Sequence, residues 1–216
     1  MQLTIIIPAY NAERYVSEAI GSITAQTDRA EIILVDDGST DHTASIAANC
    51  GVAVLQQKHR GAAAARNLGL RYAHGDFVFF LDADDISCSD ALETMLHAIT
   101  GDTCGVFGNT VDFISPELTP EEKTMLIPRS GAYPGILPGA SLFRREVFEQ
   151  VGMFDETLSS GEVVDWMIRF RNSGLPSVTI NDTVLKRRLH MNNTGRLNKQ
   201  KELSNYAAIL RKMRKL

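Results

Sequence analysis

Three aspartates follow the most apolar segment of the chain, where a predicted strand ends. Asp82, Asp84 and Asp85 come directly after residues 77–81. Carboxylates two residues apart at a strand end can both reach one Mg²⁺ or Mn²⁺ ion, because these ions prefer oxygen ligands. Like charges this close raise each other's pKa and cost stability unless a cation or hydrogen-bond donors lie among them. The spacing of Asp82 and Asp84 therefore predicts a divalent cation that could bridge a diphosphate.

The same acidic segment has two other interpretations. Acidic residues in a turn are often only solvated. Four acids also fall at ligand positions of a calcium-binding EF-hand loop, namely Asp82, Asp84, Asp90 and Glu93. However, Ile86 and Ser87 stand where that loop needs an oxygen ligand and a glycine, and a strand instead of a helix is predicted before it. The EF-hand is therefore rejected.

Polar residues also follow two earlier predicted strands. Residues 8–11 read Pro-Ala-Tyr-Asn, and residues 36–39 read Asp-Asp-Gly-Ser. Neither turn carries the glycine fingerprint of a dinucleotide fold or the lysine of a P-loop. The carboxyl ends of parallel strands meet at one edge of a sheet, and ligands bind there. We therefore expect residues 8–11, 36–39 and 82–85 to line one crevice.

Strands and helices alternate over the first 81 residues. Strands are predicted at 3–7, 31–35, 52–55 and 77–81, and helices at 13–25, 41–49 and 61–73. This alternation predicts a parallel sheet covered by helices on both faces. Residues 100–140 hold six glycines and five prolines, which predicts loops and a few irregular strands. Helices are predicted again at 144–151 and 163–172.

The composition fits a single globular domain. Of the 216 residues 44 % are hydrophobic and 22 % charged, which excludes a disordered or fibrous chain. The net charge of −4 offers no general attraction for nucleic acid. Cys50, Cys88 and Cys104 lack metal-binding spacing and predict buried thiols in a reducing, cytoplasmic compartment. The sequence shows neither a basic leader nor the roughly 18 apolar residues that span a bilayer.

Basic residues are concentrated at the C-terminal end. Residues 186–216 hold ten Lys or Arg and a single acid, Glu202. Apolar residues recur at steps of three and four within 197–216, namely Leu203, Tyr206, Leu210 and Met213. This pattern predicts an amphipathic basic helix, which could pack on the domain, pair with a second copy in a homodimer or lie on an anionic membrane surface. Packing is favoured because the apolar stripe is narrow and lacks tryptophan.

A basic residue on the third predicted helix could reach the same crevice. Arg66 follows four alanines, a surface flat enough for a ligand to approach the backbone. Its guanidinium could neutralise a diphosphate or hold one of the aspartates of residues 82–85. The alternative is an ordinary arginine on a helix surface. Position alone does not choose between the two.

The chain resembles the family 2 glycosyltransferases in four segments: TIIIPAYNAERY, EIILVDDGSTD, GAAAARNLGL and DFVFFLDADD. The resemblance covers residues 3–100, and GASLFRREVFEQVGMFDE together with the predicted helix that begins at Glu162 extends it to about residue 172. It implies an α/β fold of the GT-A type, with a mixed, mostly parallel sheet flanked by helices in a single domain. The domain would span residues 1–196, with a nucleotide-sugar-binding half at 1–110 and an acceptor half with a lid at 111–196, before the C-terminal helix at 197–216.

The resemblance implies that a sugar moves from a nucleotide-sugar donor, a UDP-sugar, to an acceptor hydroxyl with inversion. The acceptor could be a saccharide, a lipid-linked saccharide or a peptide, and the implied cofactor is Mg²⁺ or Mn²⁺. The implied donor-binding residues are Pro8, Ala9 and Tyr10 at the base, Asp37 accepting from the uracil ring, Arg66, Arg187 and Arg188 at the diphosphate, and Asp82 and Ala83 on the ribose side. The implied metal ligands are Asp84, Asp82 and His190. A surface histidine is the alternative for His190.

The resemblance fails at the catalytic base. Relatives carry an aspartate base after a glycine and a glutamate, and here Val163 follows Gly161 and Glu162. Valine cannot accept a proton. The nearby carboxylates are Glu162, which could be an ordinary acid of the first helical turn, and Asp165, which could instead pair with Arg169 four residues on. Asp165 is the preferred candidate.

Two other functions are alternatives to the transferase. A chain that has lost its base would be a catalytically impaired protein that binds nucleotide sugars. A nucleotidyltransferase that makes the activated sugar would need a glycine-rich loop with a basic residue after the first strand. Residues 8–11 do not supply one.

Overall fold

The computed structural model describes residues 2–135 and 137–193. The strands in these ranges are β1 Leu3–Ala9, β2 Glu31–Asp36, β3 Ala53–Gln56, β4 Phe77–Phe80, β5 Ile86–Ser87, β6 Gly105–Ile114, β7 Tyr133–Pro134, β8 Ser141–Arg144 and β9 Ser177–Leu189. The helices are α1 Val16–Thr24, α2 Thr43–Asn49, α3 Ala62–Tyr72, α4 Ala91–Ala98, α5 Pro120–Thr124, α6 Val147–Val151 and α7 Glu162–Asn172.

The strands form one mixed sheet in the order β3-β2-β1-β4-β8-β6-β9-β5, with β7 added to β6. β1 pairs in parallel with both β2 and β4, and β3 extends this parallel half. A parallel pair needs a crossover connection, and α1, α2 and α3 lie in these crossovers. β8 is antiparallel to β4 and β6, whereas the long strands β6 and β9 run parallel. The mixed α/β sheet expected from the sequence is therefore confirmed.

The apolar residues of β1 divide between two cores, one on each face of the sheet. Ile5 and Ile7 belong to the core that α1, α2 and α4 cover, and Ile6 belongs to the core under α3, α6 and α7. All three side chains are fully buried. A strand covered on both faces has no polar face, which explains why residues 3–7 are apolar without alternation.

The first seven predicted elements are confirmed, with ends that shift by a few residues. Further along, the prediction for residues 100–140 is loops and a few irregular strands. The structure has there β6, a strand of ten residues whose register with β9 shifts at Asn109. The glycines make this strand hard to recognise in the sequence. In the structure, neighbouring side chains fill the space beside them. A Cβ at Gly108 would lie 2.5 Å from a methyl of Val184. The helix predicted over 144–151 begins only at Val147, since Arg144 ends β8.

Gly69 on α3 lies directly against β1. A Cβ at this position would lie 2.4 Å from Cγ2 of Ile6, a fully buried side chain. We expect Gly69→Ala to lower the free energy of unfolding by about 1–3 kcal/mol through overpacking. Chemical denaturation measures the change. Gly21→Ala on α1 is the matched control, because the space around Gly21 is open and alanine favours a helix over glycine by about 1 kcal/mol. An equal loss in both variants would contradict the overpacking.

Three further expectations concern termini and thiols. The helix predicted at 197–216 lies outside the described residues. No helix of residues 2–135 and 137–193 is long and apolar enough to cross a bilayer. All three cysteines are free thiols, but only Cys104 is buried, while Cys50 and Cys88 are partly exposed.

Candidate active site

The turns after β1 and β2 are held together at the carboxyl edge of the sheet. The backbone N–H of Asp37 donates to the carbonyl of Ala9 at 2.8 Å. The N–H of Asn11 donates to Oγ of Ser39 at 2.9 Å, and its side-chain oxygen accepts from the N–H of Thr40 at 2.9 Å. Asn11 has a left-handed backbone with φ of 49°, which asparagine tolerates better than most residues. The two turns form one surface, as the sequence predicts.

Asp37 is buried, and its carboxylate anchors the connection from β3 to α3. Oδ1 accepts from Nε2 of Gln57 at 2.6 Å and from the N–H of Arg60 at 2.9 Å. Oδ2 accepts from the N–H of Gly61 at 2.8 Å and lies 2.9 Å from Nδ1 of His59. Gly61 directly precedes α3, so the carboxylate lies at a helix N-terminus, where negative charge is favoured.

The other residues expected to contact the nucleobase of the donor lie beside Asp37. Pro8 and Ala9 are buried residues of β1. Tyr10 is 47 % exposed, and its ring stacks on the imidazole of His59. The structure thus brings Tyr10 and Asp37 together, and His59 contacts both of them.

Arg66 is a buried residue of α3 that joins two carboxylates from distant parts of the chain. Nη2 donates to Oδ1 of Asp82 at 2.7 Å, and Nη1 donates to Oε1 of Glu162 at 2.7 Å. Burial alone would lower the pKa of Arg66, but these two charges raise it above its ordinary value. The guanidinium also lies over the ring of Phe154, 5.7 Å from its centroid. The interpretation as a surface arginine is therefore wrong.

Asp84 faces the chain that follows β9. Its Oδ2 lies 2.8 Å from Nε2 of His190 and 3.4 Å from Nδ2 of Asn193. His190 is buried and packs against the ring of Tyr15, with centroids 4.8 Å apart, so it is not a surface histidine. Ala83 is buried. The structure thus brings Asp84 and His190 together, although in residues 2–135 and 137–193 no three His, Cys, Asp or Glu side chains form a group arranged to hold a metal.

The charges of the three neighbouring carboxylates are balanced differently. Asp82 pairs with Arg66, and Asp85 is buried and accepts from the N–H of Arg188 at 2.9 Å. Burial and the charges of Asp84 and Asp82 raise the pKa of Asp85 well above its ordinary value. The carboxylate of Asp84 has only imidazole and amide partners within the described ranges. A cation beside Asp84 would offset the negative charge of this carboxylate. The oxygen and nitrogen donors present suit Mg²⁺ or Mn²⁺.

Arg187 and Arg188 point to different surroundings. The guanidinium of Arg188 is buried, donates from Nε to the carbonyl of Asp84 at 2.8 Å and pairs through Nη2 with Glu18. A phosphate contact by Arg188 would require these bonds to be exchanged. Nη1 of Arg187 lies 3.9 Å from Oδ1 of Asp112 on β6, and the side chain of Arg187 is about one third exposed.

The two candidate bases make different contacts. Oδ2 of Asp165 accepts from Nε of Arg169 at 2.9 Å, and Arg169 also donates to the carbonyl of Val151 at 2.7 Å. Asp165 thus braces α7 against the end of α6. Glu162 instead shares Arg66 with Asp82. Of the two carboxylates, only Glu162 therefore belongs to the network at the strand ends.

The sequence did not point to Glu117. This residue contacts Tyr15, whose ring packs against His190. Its carboxylate accepts from the hydroxyl of Tyr15 at 2.6 Å and from Oγ of Ser115 at 2.6 Å. Burial alone would raise the pKa of Glu117, but these hydroxyls lower it to about 2. No sequence signal identifies Glu117, because its partner Tyr15 is 102 residues away.

We expect Glu117→Gln to lower the free energy of unfolding by about 1 kcal/mol at pH 7, since a partly exposed charged hydrogen bond is screened by solvent. The native pKa of about 2 lies below the ordinary 4.5, so ionised Glu117 stabilises the fold above pH 4.5. This contribution is lost as the pH falls through 2. Denaturation at pH 7 and pH 3 should show the gap between wild type and variant shrinking. Glu93→Gln, at an exposed site on α4, is the control. A difference in free energy of unfolding between wild type and Glu117→Gln that does not depend on pH would contradict the stabilising role of ionised Glu117.

A model of the family described as Glycosyl transferase family 2 matches residues 4–152. Glycosyltransferase AglE of Haloferax volcanii is 28 % identical over 198 residues, which cover 84 % of this chain and 65 % of AglE. The uncharacterized glycosyltransferase alr2836 of Nostoc sp. is 33 % identical over 175 residues, 72 % of this chain and 54 % of that relative. The chain thus spans less than two thirds of the length of these curated relatives.

Two solved structures share the fold. TarS of S. aureus in complex with UDP-GlcNAc aligns with a TM-score of 0.71 and 21 % identity, over 89 % of this chain and 60 % of TarS. The mannosyltransferase PcManGT of Pyrobaculum calidifontis, in complex with GDP-Man and Mn²⁺, aligns with a TM-score of 0.71 and 21 % identity, over 97 % of this chain and 64 % of PcManGT. At these identities the likeness shows the fold alone, and it confirms the predicted GT-A fold.

Proposed function

The chain belongs to glycosyl transferase family 2, and from this premise we propose that it moves a sugar from a nucleotide-sugar donor to an acceptor hydroxyl with inversion. The observation that carries the proposal is that Arg66 binds both Asp82 and Glu162. One buried guanidinium thereby joins the segment proposed to bind the donor to the helix proposed to carry the base. A sugar on the donor segment would then lie beside a carboxylate of α7.

The proposed donor is a UDP-sugar. Tyr10 would stack on the base, and Asp37 would accept a hydrogen bond from the uracil ring. Asp82 and Ala83 would lie on the ribose side, and Arg66 and Arg187 near the diphosphate. The UDP-GlcNAc bound by TarS and the GDP-Man bound by PcManGT support a nucleotide sugar as the donor class.

Mg²⁺ or Mn²⁺ is the proposed cofactor, held by Asp84 with Asp82 and His190. Such an ion stabilises the negative charge of a departing diphosphate. Magnesium in enzymes is usually bound by one or two carboxylates together with phosphates of the substrate, so the protein need not form a complete cage by itself. The contact of Asp84 with His190 at 2.8 Å supports these two residues as partners in the site.

We propose Glu162 as the base, in preference to Asp165. The acceptor oxygen would attack the anomeric carbon as the bond from that carbon to the diphosphate breaks, and Glu162 would take the hydroxyl proton. Arg66 would orient Glu162 through the contact at 2.7 Å. The pairing of Asp165 with Arg169 supports a bracing role for Asp165.

Val163 supports a second candidate function, a protein that binds nucleotide sugars without turnover. Release of UDP from a panel of UDP-sugars, with cell extract as the source of acceptors, separates the two. Turnover by the wild-type chain above a heat-treated control is the outcome expected for the transferase. Turnover only in Val163→Asp would favour the binding protein, because the substitution supplies the carboxylate that this chain lacks.

We also propose a reducing, cytoplasmic location, because the thiols of Cys50, Cys88 and Cys104 are all free. The proposed acceptor is a saccharide, a lipid-linked saccharide or a peptide. A contact of residues 197–216 with a second copy or with a membrane remains a proposal from the sequence.

A further inference from the structure

His59 occupies the position proposed for the base of the donor. Its imidazole stacks on the ring of Tyr10, with centroids 4.1 Å apart and planes inclined by 28°. Nδ1 of His59 lies 2.9 Å from Oδ2 of Asp37 and 3.2 Å from its backbone oxygen. An aromatic heterocycle of the protein itself therefore makes both the stacking contact and the carboxylate contact that a nucleobase would make.

The two rings leave no room for a base between them. A third ring would need centroids about 7 Å apart, twice a van der Waals separation of about 3.5 Å. A base that stacks on this face of Tyr10 must therefore displace His59. The side chain of His59 is 56 % exposed, so it can turn into solvent without opening the core.

The other donors to Asp37 can stay in place when His59 leaves. Gln57 and the backbone N–H groups of Arg60 and Gly61 hold the carboxylate from the protein side. An ionised carboxylate only accepts hydrogen bonds, so whatever replaces His59 must bring an N–H. Uracil and guanine carry a ring N–H on the edge that pairs with other bases. Cytosine and adenine carry an acceptor nitrogen at that ring position, which would repel the carboxylate, and they donate only from the adjacent exocyclic amino group.

We propose that His59 is a placeholder for the nucleobase, which covers Asp37 and Tyr10 in the free chain and is exchanged for uracil or guanine when a nucleoside diphosphate binds. This inference rests on the proposed function and deepens it, because it adds a residue that sets the affinity and the base selection of the donor site. Because only uncovered chains can bind, the apparent affinity is the affinity of the uncovered chain multiplied by the fraction of chains that are uncovered.

Calorimetric titration of the full chain with UDP, GDP, CDP and ADP in the presence of Mn²⁺ tests the proposal. Wild type should bind UDP or GDP in preference to CDP and ADP. His59→Ala should bind the preferred nucleotide about tenfold tighter, the factor expected if about a tenth of free chains are uncovered. His74→Ala is the matched control, because His74 also pairs Nδ1 with a carboxylate, that of Glu31 at 2.8 Å, but at the opposite edge of the sheet. It should leave the affinity unchanged.

The outcomes separate this inference from the function on which it rests. Binding by His59→Ala that equals or falls below that of wild type would overturn the placeholder and leave the donor site standing. A preference of wild type for CDP or ADP would overturn the proposed base selection. Failure of both chains to bind any of the four nucleotides would overturn the proposed function itself. Nitrogen NMR of the imidazoles gives a direct readout, since the signal of His59 should shift on saturation with nucleotide while that of His74 stays in place.

Discussion

Asp84→Asn is expected to abolish the Mn²⁺ dependence of donor binding and to lower sugar transfer by about a hundredfold to a thousandfold, the usual effect of losing one electrostatic contact to developing charge. The reason lies in how the three acids of residues 82–85 are paired. Asp82 is neutralised by Arg66, and Asp85 is buried. The carboxylate of Asp84 contacts only His190 and Asn193 among the described residues, so its charge is available for a cation. Asparagine keeps the shape but removes that charge.

Calorimetry with UDP, with and without Mn²⁺, measures the loss of metal dependence, and release of UDP measures transfer. Asp90→Asn is the matched control, because Asp90 is an exposed aspartate just beyond the same segment. It should behave as wild type. If Asp84→Asn kept the full response to Mn²⁺, the assignment of Asp84 as the main metal ligand would be withdrawn.

Glu162→Gln is expected to lower kcat by about a hundredfold to ten-thousandfold, the range for loss of a general base, with little change in donor affinity. Glutamine keeps a side-chain oxygen that can accept from Arg66, so the network at the strand ends should survive. Asp165→Asn is the matched comparison on the same helix. We expect it to weaken the contact with Arg169 and to lower the free energy of unfolding by about 1 kcal/mol, with kcat close to that of wild type.

Steady-state kinetics and denaturation of the two variants decide between the carboxylates. A large loss of kcat in Asp165→Asn, with Glu162→Gln active, would reverse the assignment and return the base to the residue that the sequence favours. The stability measurement guards against confusion, because a variant that is merely less stable regains activity at lower temperature. A variant without its base does not.

Some site residues could be predicted because their signals are local. The apolar runs of β1, β2 and β4 each end in polar residues, and parallel strands must bring those ends to one edge. Tyr10, Asp37 and Asp84 were therefore placed correctly at the carboxyl edge from sequence. The structure adds to each of them a partner that the strand pattern does not reveal.

The bounds of β6 could not be predicted, because its glycines disfavour a strand and only packing against neighbouring strands stabilises it. β6 carries Gly105 and Gly108 where a strand usually carries side chains, and Phe143 and Val184 fill the space beside them. Such a strand has neither the alternation of a half-exposed strand nor the unbroken apolar run of a buried one. The propensity of each glycine argues against a strand, and only the neighbouring strands outweigh it.

The sequence by itself determined the parallel half of the fold, the edge of the sheet where the polar strand ends meet and the valine at position 163, because each of these depends on residues close together in the chain. Only the tertiary structure decided which charged side chains form ion pairs and hydrogen bonds with each other. Arg66 reaches Glu162 across 96 residues, and His190 reaches Asp84 across 106. Ion pairs and hydrogen bonds act over a few ångströms of space, so contacts between residues so far apart in the chain exist only once the sheet has brought them together.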